Sequence, residues 1–401
     1  MAFLQSEDHF SFAATRVFVK SLLVILLCVG PFVVARGQDA QANKSDESWT
    51  TTAESKVDNM NPARTTESHS KSGNRSVDKQ RVEVLGLDGH YRPDSDTETE
   101  TIKENDSTTR TVVRTYKWDG EGRRQLFQVT EEDARTTASG DKQVTRTTSN
   151  SDVNGHFQVT QREVADTTKA GPDTQETKTT LYRADGNGGF TKLRQTHEVE
   201  KSNADKSVEL KKTMLIPDGN GNWQVGEVKE QTIKEDGKNR TTEERISRAD
   251  VNGKLSELSR TVGVETESAT GEKSSTVDTY GGLPGSAGNG SLQLNRRVIA
   301  VQKKDARGEK TEEQVEQPNL GTPSDGLQVR AKTQYVVKYA AAGTQQSKTT
   351  QVRDSVGNFG VDSVETRKSD QPRQAAAKPA DTPAKPADNP EKPADNPEKK
   401  P

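Results

Sequence analysis

Short segments that combine aspartate, asparagine and glycine are the first candidates for a binding site in this 401-residue chain. The clearest copies begin at Asp152, Asp185, Asp218 and Asp250 and read Asp-x-Asn-Gly. Calcium loops of the EF-hand type also begin with alternating oxygen ligands, but they need a glutamate at position twelve. Only the first copy has one, Glu163. We therefore interpret each aspartate as the cap of a tight turn rather than as a calcium ligand.

Other side chains with reactive or ligating groups are scattered along the chain. The histidines are His9, His69, His90, His156 and His197, and no two of them are spaced as a helical metal pair would be. Carboxylates recur with the repeat described below and alternate with lysine and arginine, which predicts solvated strand faces with cross-strand ion pairs. The sequence thus predicts no catalytic, cofactor-binding or metal-binding residue, no cofactor, and a protein that is not an enzyme.

The densest glycine run covers residues 281–290. A phosphate-binding loop would continue with Gly-Lys-Ser/Thr and a helix. Here Ser291 to Leu294 follow, and their alternation of apolar and polar residues predicts a strand. We interpret the run as an enlarged turn.

Composition excludes two broad classes of protein. Only 28% of the residues are hydrophobic, against about 45–50% in a typical globular domain, so a large conventional core is not expected. The 58 basic residues are balanced by 61 acidic ones. No strong field of one sign therefore favours binding to nucleic acid or to anionic lipid.

The aspartates of the four clearest segments are 33, 33 and 32 residues apart. Weaker copies extend the pattern in both directions, and a fixed period of this length indicates a tandem repeat. Asn-Gly favours a tight hairpin turn of type I′. Segments such as Phe157-Gln-Val159 and Trp223-Gln-Val225 follow the turn with the period-two alternation of β-strands. Helical repeats are the alternative, but the apolar residues lack helical spacing.

The predicted fold class is therefore all-β, with tandem antiparallel β-hairpins of period about 33 that form an extended meander or solenoid-like sheet of about eighteen strands. We expect four regions: a signal peptide in 1–37, a disordered polar linker in 38–78, the hairpin repeats in 79–368 and a disordered tail rich in Pro, Lys and Asp in 369–401.

An export signal is predicted from the only long apolar run, residues 21–35. Arg16 and Lys20 precede the run and small residues end it, which predicts cleavage before Arg36 or Gln38. An uncleaved membrane anchor is the alternative. The only cysteine, Cys28, lies inside this run, so the mature chain would contain no thiol.

Tyr182, Asp185, Gly188 and Phe190 resemble the YD repeats of bacterial Rhs-type surface and toxin-delivery proteins, and the segment from Tyr116 to Gly122 is a partial second copy. The chain is also similar to hairpin-repeat proteins that soil bacteria export. The resemblance implies an exported array of β-hairpins and carries over no activity.

From these observations we predict a secreted, periplasmic or cell-surface protein of bacterial type with a structural, adhesive or ligand-binding role. Its expected partner is a cell-envelope polymer or a surface protein, with no nucleic acid and no stable membrane insertion after signal cleavage. The alternatives are a polysaccharide-acting enzyme on a β-solenoid and a YD-like carrier of another polypeptide.

Overall fold

The computed structural model of the chain describes residues 47–57, 60–152, 154–218, 220–282, 292–319, 326–340 and 343–369. All of them belong to one compact unit, Ser45–Pro401. The predicted signal peptide, most of the predicted tail and most of the glycine run lie outside the described residues.

The described residues form strands and the turns between them. The strands are β1 Glu47–Val57, β2 Ala63–Ser72, β3 Arg75–Leu85, β4 Tyr91–Lys103, β5 Thr108–Trp118, β6 Arg124–Thr136, β7 Lys142–Ser151, β8 Phe157–Lys169, β9 Thr174–Ala184, β10 Phe190–Ser202, β11 Val208–Pro217, β12 Trp223–Asp236, β13 Asn239–Ala249, β14 Leu255–Glu267, β15 Lys273–Gly281, β16 Gln293–Lys304, β17 Gly308–Pro318, β18 Leu327–Ala340, β19 Gly343–Arg353 and β20 Phe359–Ser369.

Each strand pairs antiparallel with the next one along the chain, and β20 pairs with β1. This last pairing runs in register from Thr51 opposite Ser369 to Val57 opposite Ser363. The Thr51 hydroxyl also donates a 2.9 Å hydrogen bond to the Ser369 hydroxyl. The sheet therefore closes into a barrel. The prediction of an all-β hairpin meander is confirmed, but the prediction that the sheet stays open or solenoid-like is wrong.

Two of the strands lie where the sequence predicted a disordered linker. Both β1 and β2 fall within 38–78, so this prediction is corrected. Their Ser- and Thr-rich sequences lack the aromatic alternation of the later repeats. They are held by backbone pairing to each other and to β3 and β20, and by Trp49, whose ring stacks on His69 at 5.4 Å.

The aspartates cap the turns, as the sequence indicated. Asp218 Oδ1 accepts hydrogen bonds from the backbone N–H groups of Asn220 and Asn222, both at 2.8 Å. Gly221 has a φ of +83°, whereas no asparagine of the described turns has a positive φ. The Asn-Gly pair therefore does not form the predicted type I′ turn, which needs a positive φ at both of its central residues. The same pair of bonds to Oδ1 recurs at Asp119, Asp152, Asp185, Asp250 and Asp354.

A β-bulge follows each of these turns. The register between an odd strand and the even strand after it shifts by one residue near the start of the even strand, from β4 through β20. Bulges bend a strand and increase its twist. Repeated at one height around the sheet, they supply the curvature that closure requires.

Apolar burial contributes little to this fold. Among the described residues, the buried hydrophobic side chains are Val112, Val298 and Val337. Stability therefore depends mainly on backbone hydrogen bonds that run without a free edge around the barrel, together with cross-strand side-chain pairs.

Closure can be tested with a disulfide between the first and last strands. In a Cys28→Ser background, Ser55→Cys and Glu365→Cys should oxidise to a crosslink, because these residues are direct cross-strand partners and such pairs lie within disulfide range. The pair Ser55→Cys and Lys368→Cys, three residues out of register, is the control. Peptide mass spectrometry after oxidation would detect the crosslink, and its absence from the in-register pair would contradict a closed barrel.

Replacing each of the two glycines of one turn by alanine should change the stability of the protein differently. Gly122 has a φ of +77° and Gly120 an ordinary φ, and the space around both Cα atoms is open. Gly122→Ala should lower the free energy of unfolding by about 1–2 kcal/mol because of backbone strain. Gly120→Ala should leave it unchanged or raise it by up to about 1 kcal/mol, since alanine restricts the unfolded chain. Denaturant unfolding measures both, and equal effects would contradict the turn geometry.

Candidate functional site

Alternate residues of each strand face the lumen and the exterior of a closed barrel. On β18, Thr333, Tyr335 and Val337 are half-buried or buried. Lys332 and Gln334, which flank Thr333, are exposed. Side chains crowd together on the concave side of a curved sheet, so we assign the first set to the inner face. The cross-strand register carries this assignment around the barrel and returns consistently from β20 to β1.

The inner face is a polar wall. Threonine hydroxyls of neighbouring strands lie within hydrogen-bond distance of each other, for example Thr101 and Thr111 at 3.3 Å and Thr167 and Thr177 at 3.0 Å. Several of the inner-face charges also have cross-strand partners. The pairs are Arg146 with Glu132 and Glu163, Lys212 with Glu198, Lys229 with Glu244, Arg248 with Glu227, and Arg367 with Glu67. Hydroxyls and neutralised charges make this surface wettable without a dominant sign.

Glutamines recur on the inner face at one end of the barrel. We call this end, where odd strands turn into even strands, the Asp-turn rim. Each of these glutamines sits between two outward-facing positions at the start of an even strand. They are Gln125, Gln158, Gln224, Gln293 and Gln328, and we call them the glutamine ring. Amide side chains both donate and accept hydrogen bonds, so the ring can contact polar solutes at this mouth of the lumen.

The outer face at the same rim is apolar. The first or second outward-facing residue of each even strand from β4 to β20 is aromatic or aliphatic. We call these residues the outer girdle: Tyr91, Leu126, Phe157, Phe190, Trp223, Leu255, Leu294, Leu327 and Phe359. Tyr116, Tyr182, Leu215 and Tyr280 extend it on the preceding odd strands.

Beyond the girdle the outer face becomes charged. Arg81 makes a two-point contact with Asp96 at 2.9 and 3.1 Å, and Arg124 bridges Asp96 and Glu98 at 2.8 and 2.7 Å. The Arg124 guanidinium also lies 3.5 Å from the centre of the Tyr116 ring. The Asp96 side chain is only 6% exposed. This cluster ties together strands β3 to β6 by charge pairing.

The side chains singled out in the sequence do not converge on one reaction centre. The turn aspartates are distributed around the Asp-turn rim, one to a hairpin. Their Oδ1 atoms are engaged by backbone N–H groups, as the turn interpretation requires. His69 contacts Asp78 at 2.6 Å and His197 contacts Glu176 at 3.3 Å, on opposite faces of the sheet. Within the described ranges, no three His, Cys, Asp or Glu side chains are grouped to hold a metal ion.

The lumen is wide. Twenty strands about 4.8 Å apart, tilted by about 40°, give a wall radius of roughly 20 Å. Barrels of sixteen or more strands enclose an aqueous channel unless something plugs them. In the part of the chain that the structure describes, no helix is long and apolar enough to cross a membrane.

No protein-family model and no curated protein sequence matches this chain. Several solved structures share the barrel architecture. OccK3 of Pseudomonas aeruginosa is 10% identical, covering 81% of this chain and 94% of its own, at a TM-score of 0.36. OccK2 of the same organism, solved with glucuronate, is 9% identical and covers 81% of this chain and 95% of its own, at a TM-score of 0.37. Its siderophore receptor PirA is 9% identical over 81% of both chains, at 0.35. The likeness concerns the fold alone.

The barrel corrects the family resemblance drawn from the sequence. A closed sheet is not a YD array, so the resemblance to YD repeats does not hold for the fold. The prediction of a structural, adhesive or ligand-binding repeat protein without stable membrane insertion rested on an open array of hairpins and is corrected with it.

The sequence reasoning missed the two faces as functional surfaces, although the signal was present. In Phe157-Gln-Val159 and Trp223-Gln-Val225, the alternation that predicted strands also separates an outward apolar pair from an inward glutamine. Which side faced a lumen could not be read from the alternation, because an open sheet has no inside.

The capped turns should make the barrel sensitive to acid. Backbone hydrogen bonds, above all from Asn222, hold the pKa of Asp218 below its ordinary value. Its stabilisation is therefore complete above the unfolded-state pKa of about 3.9 and is lost as the pH falls through the lower folded-state pKa. Asp218→Asn should reduce the loss of melting temperature between pH 6 and pH 2. Identical pH profiles for the two proteins would contradict a charged cap.

Proposed function

We propose that the chain forms a wide, water-filled barrel in the outer membrane of the cell envelope, through which small polar solutes pass along the lumen. The observation that carries the proposal is the pairing of β20 with β1. This pairing turns the Thr-, Gln- and charge-lined face of a meander into a continuous enclosed wall. A surface of this kind keeps water in the lumen and exchanges hydrogen bonds with solutes.

The lumen chemistry favours neutral or zwitterionic polar solutes over ions of one sign. Arg146 lies between Glu132 and Glu163, and Lys229 pairs with Glu244 at 2.8 Å. Paired charges of this kind leave little net field to select by charge. The glutamine ring adds uncharged donors and acceptors at one mouth. Sugars and other hydroxyl-rich molecules match these contacts.

The membrane location is supported by the backbone hydrogen bonding, which runs around the barrel from strand to strand without a free edge. In a bilayer every backbone N–H and C=O group must be satisfied internally, and a barrel without a free edge achieves this. The outer girdle offers apolar surface, and charged side chains beyond it, such as Arg81 with Asp96, are paired to each other. Pairing lowers the cost of carrying charge close to lipid.

Solute efflux from vesicles tests the proposal. The protein reconstituted into liposomes should release a trapped neutral disaccharide and retain a large dextran, because the lumen admits only molecules narrower than roughly 25 Å. Fluorescence of trapped reporters measures both. Vesicles that carry the protein and yet retain the disaccharide would contradict the passage of solutes through the lumen.

Substitutions in the glutamine ring should make the passage selective for charge. The triple variant Gln158→Glu, Gln224→Glu and Gln328→Glu should slow efflux of an anionic solute several-fold relative to a neutral one. A matched control places three glutamates on the outer face, as Thr180→Glu, Thr213→Glu and Thr349→Glu. The control should keep the wild-type ratio. The same shift in both variants would mean that solutes do not pass the ring.

A further inference from the structure

The outer girdle occupies one end of the barrel only. At the Asp-turn rim the outward-facing pairs are apolar, for example Pro217 with Trp223 and Leu215 with Val225. At the opposite rim most outward-facing positions carry small polar or charged side chains, such as Ser70 and Lys310, with isolated valines among them on β10, β14 and β16. The asymmetry follows from the repeat, because each even strand from β4 to β20 has an aromatic or aliphatic residue facing outward near its start.

Several apolar side chains at this rim are exposed, and most of the other girdle residues are half-buried. Phe157 is 40% exposed, Leu255 43% and Val361 55%, although all three are large hydrophobic residues. The turns beyond them add Leu87 and Val251, which are fully exposed at 105% and 99%. An apolar surface that continues around a rim has a larger contiguous area than the single hydrophobic residues that are scattered over an ordinary protein surface.

Cations accompany the aromatic rings of the girdle. Arg64 lies 4.1 Å from the centre of the Tyr91 ring, Arg162 lies 4.7 Å from that of Phe190, and Lys332 lies 4.5 Å from that of Phe359. These cations belong to the same outer face. Aromatic rings beside Lys and Arg suit the interfacial layer of a bilayer, where the ring meets acyl chains and the cation meets phosphate.

From this arrangement we propose that the Asp-turn rim is the end of the barrel that contacts lipid, with the girdle in the interfacial layer and its cations on anionic headgroups. The girdle faces radially outward in every direction from the barrel axis. A fluid bilayer can surround such a ring, whereas a second copy of the chain could cover only one side of it. The inference rests on the proposed membrane location and adds which rim lies in the lipid.

The full chain in a Cys28→Ser background is the protein to test, with vesicles of phosphatidylcholine alone or mixed with phosphatidylglycerol. Flotation should recover more protein with the anionic vesicles. The variant Val159→Ser, Val225→Ser and Val361→Ser removes girdle surface and should lower the bound fraction roughly tenfold. The matched control is Val199→Ser, Val264→Ser and Val301→Ser, on the same face at the far end of the strands, and it should bind like the parent.

Tryptophan fluorescence gives a readout that does not require girdle substitutions. Trp118 and Trp223 lie at the Asp-turn rim on the outer face, and Trp49 lies on β1 on the inner face. In a Trp49→Phe variant, lipids brominated near the headgroup should quench the remaining fluorescence more strongly than lipids brominated at the acyl end. The absence of quenching, or stronger quenching from the acyl end, would overturn the interfacial placement.

Three further outcomes separate this inference from the proposed passage. Vesicle binding lost equally in the girdle and control variants would overturn the assignment of the lipid end. Failure to bind either vesicle, with self-association seen by sedimentation, would place a second copy on the girdle and overturn the inference. Girdle-dependent binding without disaccharide efflux would support the inference while contradicting the passage.

Discussion

Backbone hydrogen bonding between the first and last strands removes both free edges of the sheet, and the remaining features of the molecule depend on it. With Val112, Val298 and Val337 as the buried hydrophobic side chains of the described residues, apolar burial is too small to hold two sheets together. An open meander of these strands would leave two unpaired edges and two wet faces. Closure satisfies the edges and separates one face from bulk solvent without needing an apolar core.

Because closure separates the two faces of the sheet, the alternating residues of each repeat line two chemically different surfaces. One short segment, apolar-Gln-apolar, sends two side chains outward and one inward at the start of β8, β12, β16 and β18. Repeated around the barrel, it produces the outer girdle and the glutamine ring at the same height. Farther along the strands, the inner face continues with threonines and the outer face with ion pairs such as Arg81 with Asp96.

Turns and bulges act together at the Asp-turn rim. A capping aspartate and a left-handed glycine reverse the chain, and a bulge a few residues later adds one residue to the even strand. The extra residue bends the strand and shifts its register. Because the bulge recurs in nearly every hairpin that turns at this rim, the bends add up around the sheet in one direction. The same rim is therefore the source of the curvature and the site of the apolar girdle.

The sequence by itself determined the elements that depend on near neighbours. Aspartate caps, positive-φ glycines, the two-strand unit of about 33 residues and the alternation after each turn involve contacts within a few residues, so residue types and spacing predict them. Strands β1 and β2 were not predicted, because strands rich in serine and threonine pair through the backbone and show no apolar pattern in the sequence. Only the tertiary structure decided that the sheet closes, which face lines the lumen and that the apolar residues form a ring. Closure joins Thr51 to Ser369, more than 300 positions apart, and it depends on the summed twist of every strand between them, which no local pattern contains.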